Sequence, residues 1–159
     1  MITDNLNNFI DKTLTQLQQL NIDVTNLELD HFGYQTSSKD DYESKKTESQ
    51  QIGKMASENI VGGRRVCIIR LLKQHLYGNF EISGIEIIEP KDEQVCLSSL
   101  DHLEFVLKES FENFINKYKT VSWDTTALER PEFAKLSLRF GDGSGVKFHL
   151  KNIFDEIPQ

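Results

Sequence analysis

Leu29-Asp30-His31-Phe32-Gly33-Tyr34 and Leu100-Asp101-His102-Leu103-Glu104-Phe105 open two strand-like runs on one tripeptide, Leu-Asp-His, 71 residues apart in a chain of 159. That offset is close to half of what remains once an N-terminal helical stretch is set aside. A repeated strand start that carries a histidine predicts two modules whose corresponding residues meet at one site.

The surroundings of each copy support the duplication. Ahead of the first, Ile2, Leu6, Phe9, Ile10, Leu14 and Leu17 recur at helical spacing, so residues 1–26 read as a helical segment outside the repeat. After strand Leu29 to Thr36, Ser38 signals a helix start, and a polar helix is expected over Lys39 to Ala56. Gly62-Gly63 then joins Ser57–Val61 to Arg64–Lys73 as a hairpin turn, and a further strand runs from Phe80 to Ile88. The second half follows the same order: a strand from His102 to Leu107, a helix over Glu109 to Lys119, and a hairpin of Ala134–Phe140 with Val146–Leu150. A short helix near Asn152 to Ile157 closes the chain. The expected fold is α+β: two paired βαβββ modules, residues 27–90 and 98–157, forming one cupped mixed sheet within a single domain.

Composition narrows the function. The net charge is −7, and only Lys45-Lys46 and Arg64-Arg65 form basic clusters, so a nucleic-acid partner is not expected. The N-terminus has neither a basic start nor a long apolar run, which argues against a signal or a membrane span. Cys67 and Cys96 form no metal-type pair and read as reduced thiols. A cytoplasmic protein, monomer or homodimer, with a small-molecule ligand is the expectation.

Strand alternation assigns the faces. His31 falls opposite Phe32 and Tyr34; His102 and Glu104 fall opposite Leu103 and Phe105; Lys147 and His149 fall opposite Val146 and Phe148. Glu86 shares its row with Phe80, Ile82, Gly84 and Ile88, and a carboxylate buried there needs a cation, a base or a metal. His31, Glu86, His102 and His149 together would make an N/O site suited to Zn, Ni, Fe or Mn, with Glu86 as the group that moves a proton. A lone histidine at a strand start is more often an ordinary polar residue, but equivalent positions in two modules favour a site. Glu104 reads as a fifth ligand, a second-sphere partner or a solvated side chain, with the second of these preferred. Lys147 paired with Glu86 or Glu104 would neutralise the cup without metal. Arg64 and Arg139 are candidates for clamping an anionic substrate, and His75 falls in a polar loop with no assigned role.

The elements Leu-Asp-His-Phe, Ser57-Glu58-Asn59-Ile60 with Gly63-Arg64 and Cys67, Asp101 to Leu107, and Gly145-Val146-Lys147-Phe148-His149 resemble the YecM family. That family is similar to the vicinal-oxygen-chelate superfamily of glyoxalase I, extradiol dioxygenases and bleomycin-resistance proteins. The resemblance implies paired βαβββ modules with metal ligands on the first and last strand of each, here His31, Glu86, His102 and His149. It implies two classes of function: a metal-dependent isomerase, lyase or oxygenase on a small oxygenated molecule, or a non-catalytic protein that sequesters a ligand.

Overall fold

The structure, a computed structural model, describes residues 1–157. Its elements are α1 (Leu6–Gln19), β1 (Glu28–Gln35), α2 (Lys39–Ser49), β2 (Gly53–Val61), β3 (Arg64–Tyr77), β4 (Phe80–Ile88), β5 (Ser99–Val106), α3 (Phe111–Lys117), β6 (Leu136–Arg139), β7 (Gly145–His149) and α4 (Ile153–Glu156). The strands form one mixed seven-stranded sheet in the order β2-β3-β4-β1-β5-β7-β6. The two halves meet where β1 runs antiparallel to β5, and each first strand lies parallel to the last strand of its own module. This is the expected α+β fold. The second half forms three named strands, and in place of a fourth Asp124 bridges Ser137.

The larger core lies on one face, where Phe32, Ile69, Ile85, Leu103, Phe105 and Phe148 meet Leu6, Ile10 and Leu17 of α1. Burying these side chains contributes roughly 1.5–3 kcal/mol each. Helix α1 ties to both halves: Lys12 pairs with Asp142 at 2.6 Å, and the His75 ring bonds Asn7 Oδ1 at 2.7 Å. The opposite face carries a smaller cluster of Val66, Ile68, Ile153, Phe154 and Ile157, so α4 covers part of the cup.

Two boundaries differ from the sequence reading. Helix α2 stops at Ser49, and Gly53 already pairs with Leu71 as the start of β2. A Cβ on Gly53 would sit 2.6 Å from the Arg70 carbonyl oxygen, so glycine permits this close pairing where a helix was expected to Ala56. Strand β3 continues to Tyr77 through a register shift between Arg70 and His75, which places His75 in a strand and not a loop. Among the described residues no helix is long and apolar enough to cross a membrane.

Candidate metal centre

The two Leu-Asp-His copies are both β-bulges. In the β1–β5 ladder Leu29 faces Phe105 and His31 faces Glu104, which leaves Asp30 as an extra residue; Gly33 faces His102 and Tyr34 faces Leu100, which leaves Asp101 extra. A bulge turns two successive side chains toward one face. Each aspartate therefore reaches the ring of the next residue: Asp30 Oδ1 lies 3.1 Å from His31 Nδ1, and Asp101 Oδ2 lies 2.8 Å from His102 Nδ1. With Nδ1 engaged by a carboxylate, each ring presents Nε2 to the cup.

Both Nε2 atoms point at Glu86 and Glu104. His31 Nε2 stands 2.7 Å from Glu104 Oε2 and 3.6 Å from Glu86 Oε2; His102 Nε2 stands 3.6 Å from Glu104 Oε2 and 3.8 Å from Glu86 Oε1. Yet His31 Nε2, His102 Nε2 and Glu104 Oε2 are buried without a hydrogen-bond partner, because even the closest approach lacks the alignment a bond requires. Two ligand atoms each about 2.1 Å from one ion lie roughly 3.0–3.4 Å apart at octahedral or tetrahedral angles. One ligand atom from each of the four residues lies within 4.8 Å of the others, a spacing that small side-chain shifts bring to these values, and these residues fit a divalent metal.

The group that converges shares three members with the expected ligand set. His149 lies beside the group with its Nε2 3.1 Å from Asp30 Oδ1 and its Nδ1 3.4 Å from Glu156, while Glu104 takes the fourth place. The ladder explains why. His31 faces Gly84 and His102 faces Gly145, so Glu86 corresponds to Lys147 in the second module and not, as expected, to His149. The last strand of that module thus presents a lysine where the first presents its carboxylate. The second carboxylate comes instead from β5, at the position where β1 has Gly33. Glycine is required there: a Cβ on Gly33 would lie 2.1 Å from His102 Cε1. Gly33→Ala should displace the His102 ring, destabilise the protein by about 1–3 kcal/mol and weaken metal binding, measured by thermal unfolding and calorimetry on one preparation.

Electrostatics favour the charged forms of Glu86, Glu104 and His31. Burial opposes ionisation of Glu86, but Lys135, His31, His102 and Lys147 outweigh it and keep the carboxylate well below its usual range. Glu104 is held low against burial chiefly by Lys135, whose Nζ is 3.7 Å away, and by His31. Burial lowers the proton affinity of His31, while Asp30 and Glu104 reverse this and raise it well above the ordinary histidine value. Lys147, the neutralising partner in the metal-free alternative, is pushed down by burial and by Lys135 and makes no close ion pair among the described residues. The counter-charge is Lys135, a polar position of the alternating run Ala134–Phe140 that was not among the candidate site residues.

The other candidates separate. Arg139 bonds Asp101 Oδ1 at 2.9 Å and the Gly143 carbonyl at 3.1 Å, so it steadies the aspartate that orients His102. Arg64 lines a cavity next to Glu86, together with Lys147. Asp30 is the residue the face assignment missed: its Oδ2 also accepts the Ile153 N–H at 2.7 Å, tying α4 to the site.

The chain matches the family described as YecM protein over residues 1–157. An uncharacterized protein of Haemophilus influenzae is 28% identical over 104 residues, 63% of this chain and 54% of that one. The chain thus spans about half the length of the curated relatives it matches. Among solved structures, the structural-genomics protein EC4020 superposes with a TM-score of 0.79 at 21% identity, over 98% of this chain and 89% of that one. Methylmalonyl-CoA epimerase in complex with methylmalonyl-CoA and NH4+ superposes at 0.55 and 12% identity, over 83% of this chain and 99% of that chain. These likenesses identify the sheet as the vicinal-oxygen-chelate fold, and the chain belongs to the YecM family.

Proposed function

We propose that this protein is a divalent-metal-dependent isomerase or lyase acting on a small oxygenated molecule, with His31, Glu86, His102 and Glu104 as the metal-holding residues. The observation that carries this reading is the convergence of two aspartate-oriented Nε2 atoms and an unbonded Glu104 oxygen in a buried site. A bound Zn, Ni, Fe or Mn ion would supply Lewis acidity to two neighbouring substrate oxygens. Glu86 is the member of the set that also lines the adjoining cavity, so its carboxylate is the one placed to take a proton from a bound molecule and return it. It is held ionised, as a resting base must be. Lys135 and Lys147 beside it favour anionic character developing on the substrate. Two carboxylates in the donor set depart from the two-histidine, one-carboxylate arrangement of iron oxygenases, which favours proton transfer over oxygen chemistry.

One observation favours a second reading. Lys135 Nζ already stands 3.7 Å from Glu104 Oε1, and a cup neutralised in this way would bind a ligand without metal or turnover. Metal content separates the two readings. Protein purified without affinity-tag metals and stripped with a chelator should bind at least one of Zn, Ni, Mn or anaerobic Fe(II) about 100-fold more tightly than His102→Ala. Equal binding would abandon the metal reading. Because an imidazole nitrogen must be deprotonated to coordinate, affinity should fall on acidification. The fall should begin above the ordinary histidine range near 6.5, since Asp30 and Glu104 raise the proton affinity of His31.

A further inference from the structure

We propose that the cavity beside Glu86 is an oligo-anion subsite, which takes a part of the substrate bearing two or more carboxylate or phosphate groups. The inference rests on the metal-dependent reading above and names the substrate class for the same site. Arg64, Lys91, Arg130, Lys135 and Lys147 line this cavity, against Glu86 as its acidic lining residue. In a chain of net charge −7 with 25 acidic residues, converging cations would ordinarily find carboxylates. Only Lys135 does: none of the other four has a carboxylate in ion-pair contact among the described residues. The Arg64 Nε is buried without a hydrogen-bond partner. A guanidinium donor left in that state has given up its bond to water without a replacement unless a ligand accepts from it.

The backbone is shaped around the same space. Arg64 follows the Gly62-Gly63 turn, and both glycines have positive φ, 62° and 83°. Phe133 lines the cavity with φ 56°, a conformation unfavourable for an aromatic residue, within the segment that supplies Arg130 and Lys135. The cations also fall at two depths: Lys91 and Arg130 are exposed, whereas Lys135 is buried. One singly charged group cannot neutralise both sets. If Glu104 turns to a divalent ion, Lys135 loses its counter-charge while Lys147 has none in contact, and substrate anions supply it to both.

Calorimetric titration of the 159-residue chain at low salt, metal-loaded and chelator-treated, provides the test. The probes are tricarballylate, inorganic pyrophosphate and uncharged glycerol. At least one anion should bind with a Kd below about 1 mM, glycerol should not, and the better of the two anions identifies the group the site prefers. Arg64→Gln combined with Arg130→Gln should weaken that binding at least tenfold, with metal affinity within about threefold of the parent and an unchanged melting temperature. Anion binding that is equal in parent and double variant, or no tighter than that of glycerol, overturns the subsite. If anions bind with the same dependence on Arg64 and Arg130 while no metal binds, the subsite stands and the metal-dependent function falls.

Discussion

Glu104→Gln should weaken divalent-metal binding by at least about 100-fold, whereas His149→Gln should weaken it by no more than about tenfold. The difference follows from position. Glu104 Oε2 approaches His31 Nε2 and His102 Nε2 and has no hydrogen bond of its own, so its charge and lone pairs are available to an ion. His149 instead engages Asp30 and stands 3.8 Å from the other Glu104 oxygen, so its loss is felt through the groups behind the ligands. Disturbing a partner behind a ligand typically costs 10–100-fold in affinity, and removing a ligand costs more. The glutamine keeps the shape of the side chain while removing its charge, and it also strips Lys135 of its counter-ion. Calorimetry with Zn and Mn on chelator-treated proteins separates the variants. If His149→Gln proved the more damaging of the two, the donor set would be His31, Glu86, His102 and His149 after all.

That ambiguity shows where sequence reading ends. The duplicated strand starts, the Gly62-Gly63 hairpin and the Phe80–Ile88 strand were legible because each rests on local pattern: a repeat, a turn that needs positive φ, and period-two alternation. The choice between Glu104 and His149 depends on lateral register, which alternation along one strand does not contain. Strict alternation also gives no reason to single out Asp30 and Asp101. It puts neighbouring residues on opposite faces, but a bulge breaks the period for one residue and brings each aspartate to the side of its histidine. The signal for this was present in the repeat, since the aspartate recurs with the histidine in both copies. Lys135 had only its polar place in the alternating run Ala134–Phe140, and alternation does not name the partner across the cup. It stands one residue ahead of β6, and its role arises from where that approach brings Nζ to Glu104.

Asp30→Ala should destabilise the metal-free protein by about 3–5 kcal/mol, the largest loss expected from any single change in the cup. Asp30 is fully buried and meets three groups at once: His31 Nδ1 at 3.1 Å, His149 Nε2 at 3.1 Å and the Ile153 N–H at 2.7 Å. Breaking a buried charge pair from one side leaves the other charge uncompensated, and that cost sets the magnitude. For a domain of this size it corresponds to a melting temperature roughly 6–20 °C lower. The pH dependence gives a second signature. Burial disfavours the Asp30 carboxylate, but His31 and His149 lower its pKa to about 2, so its contribution is present above the ordinary value near 3.8 and is lost as pH falls toward 2. Burial disfavours charge on His149, but Glu104, Asp30 and Glu156 raise its pKa to about 9; that contribution is complete below roughly 6.5 and is lost as pH rises through 9. The parent's contribution from this pair is therefore greatest between about pH 4 and 6.5 and declines toward 9. In Asp30→Asn, which keeps the shape and can still accept from Ile153, that alkaline decline should be shallower, because one of the three carboxylates that raise His149 has lost its charge. Chemical denaturation at pH 5.5, 7.5 and 9 in the presence of chelator reads both effects. A parent and an Asp30→Asn variant with parallel pH profiles would mean that the His149 proton is held by Glu104 and Glu156 alone.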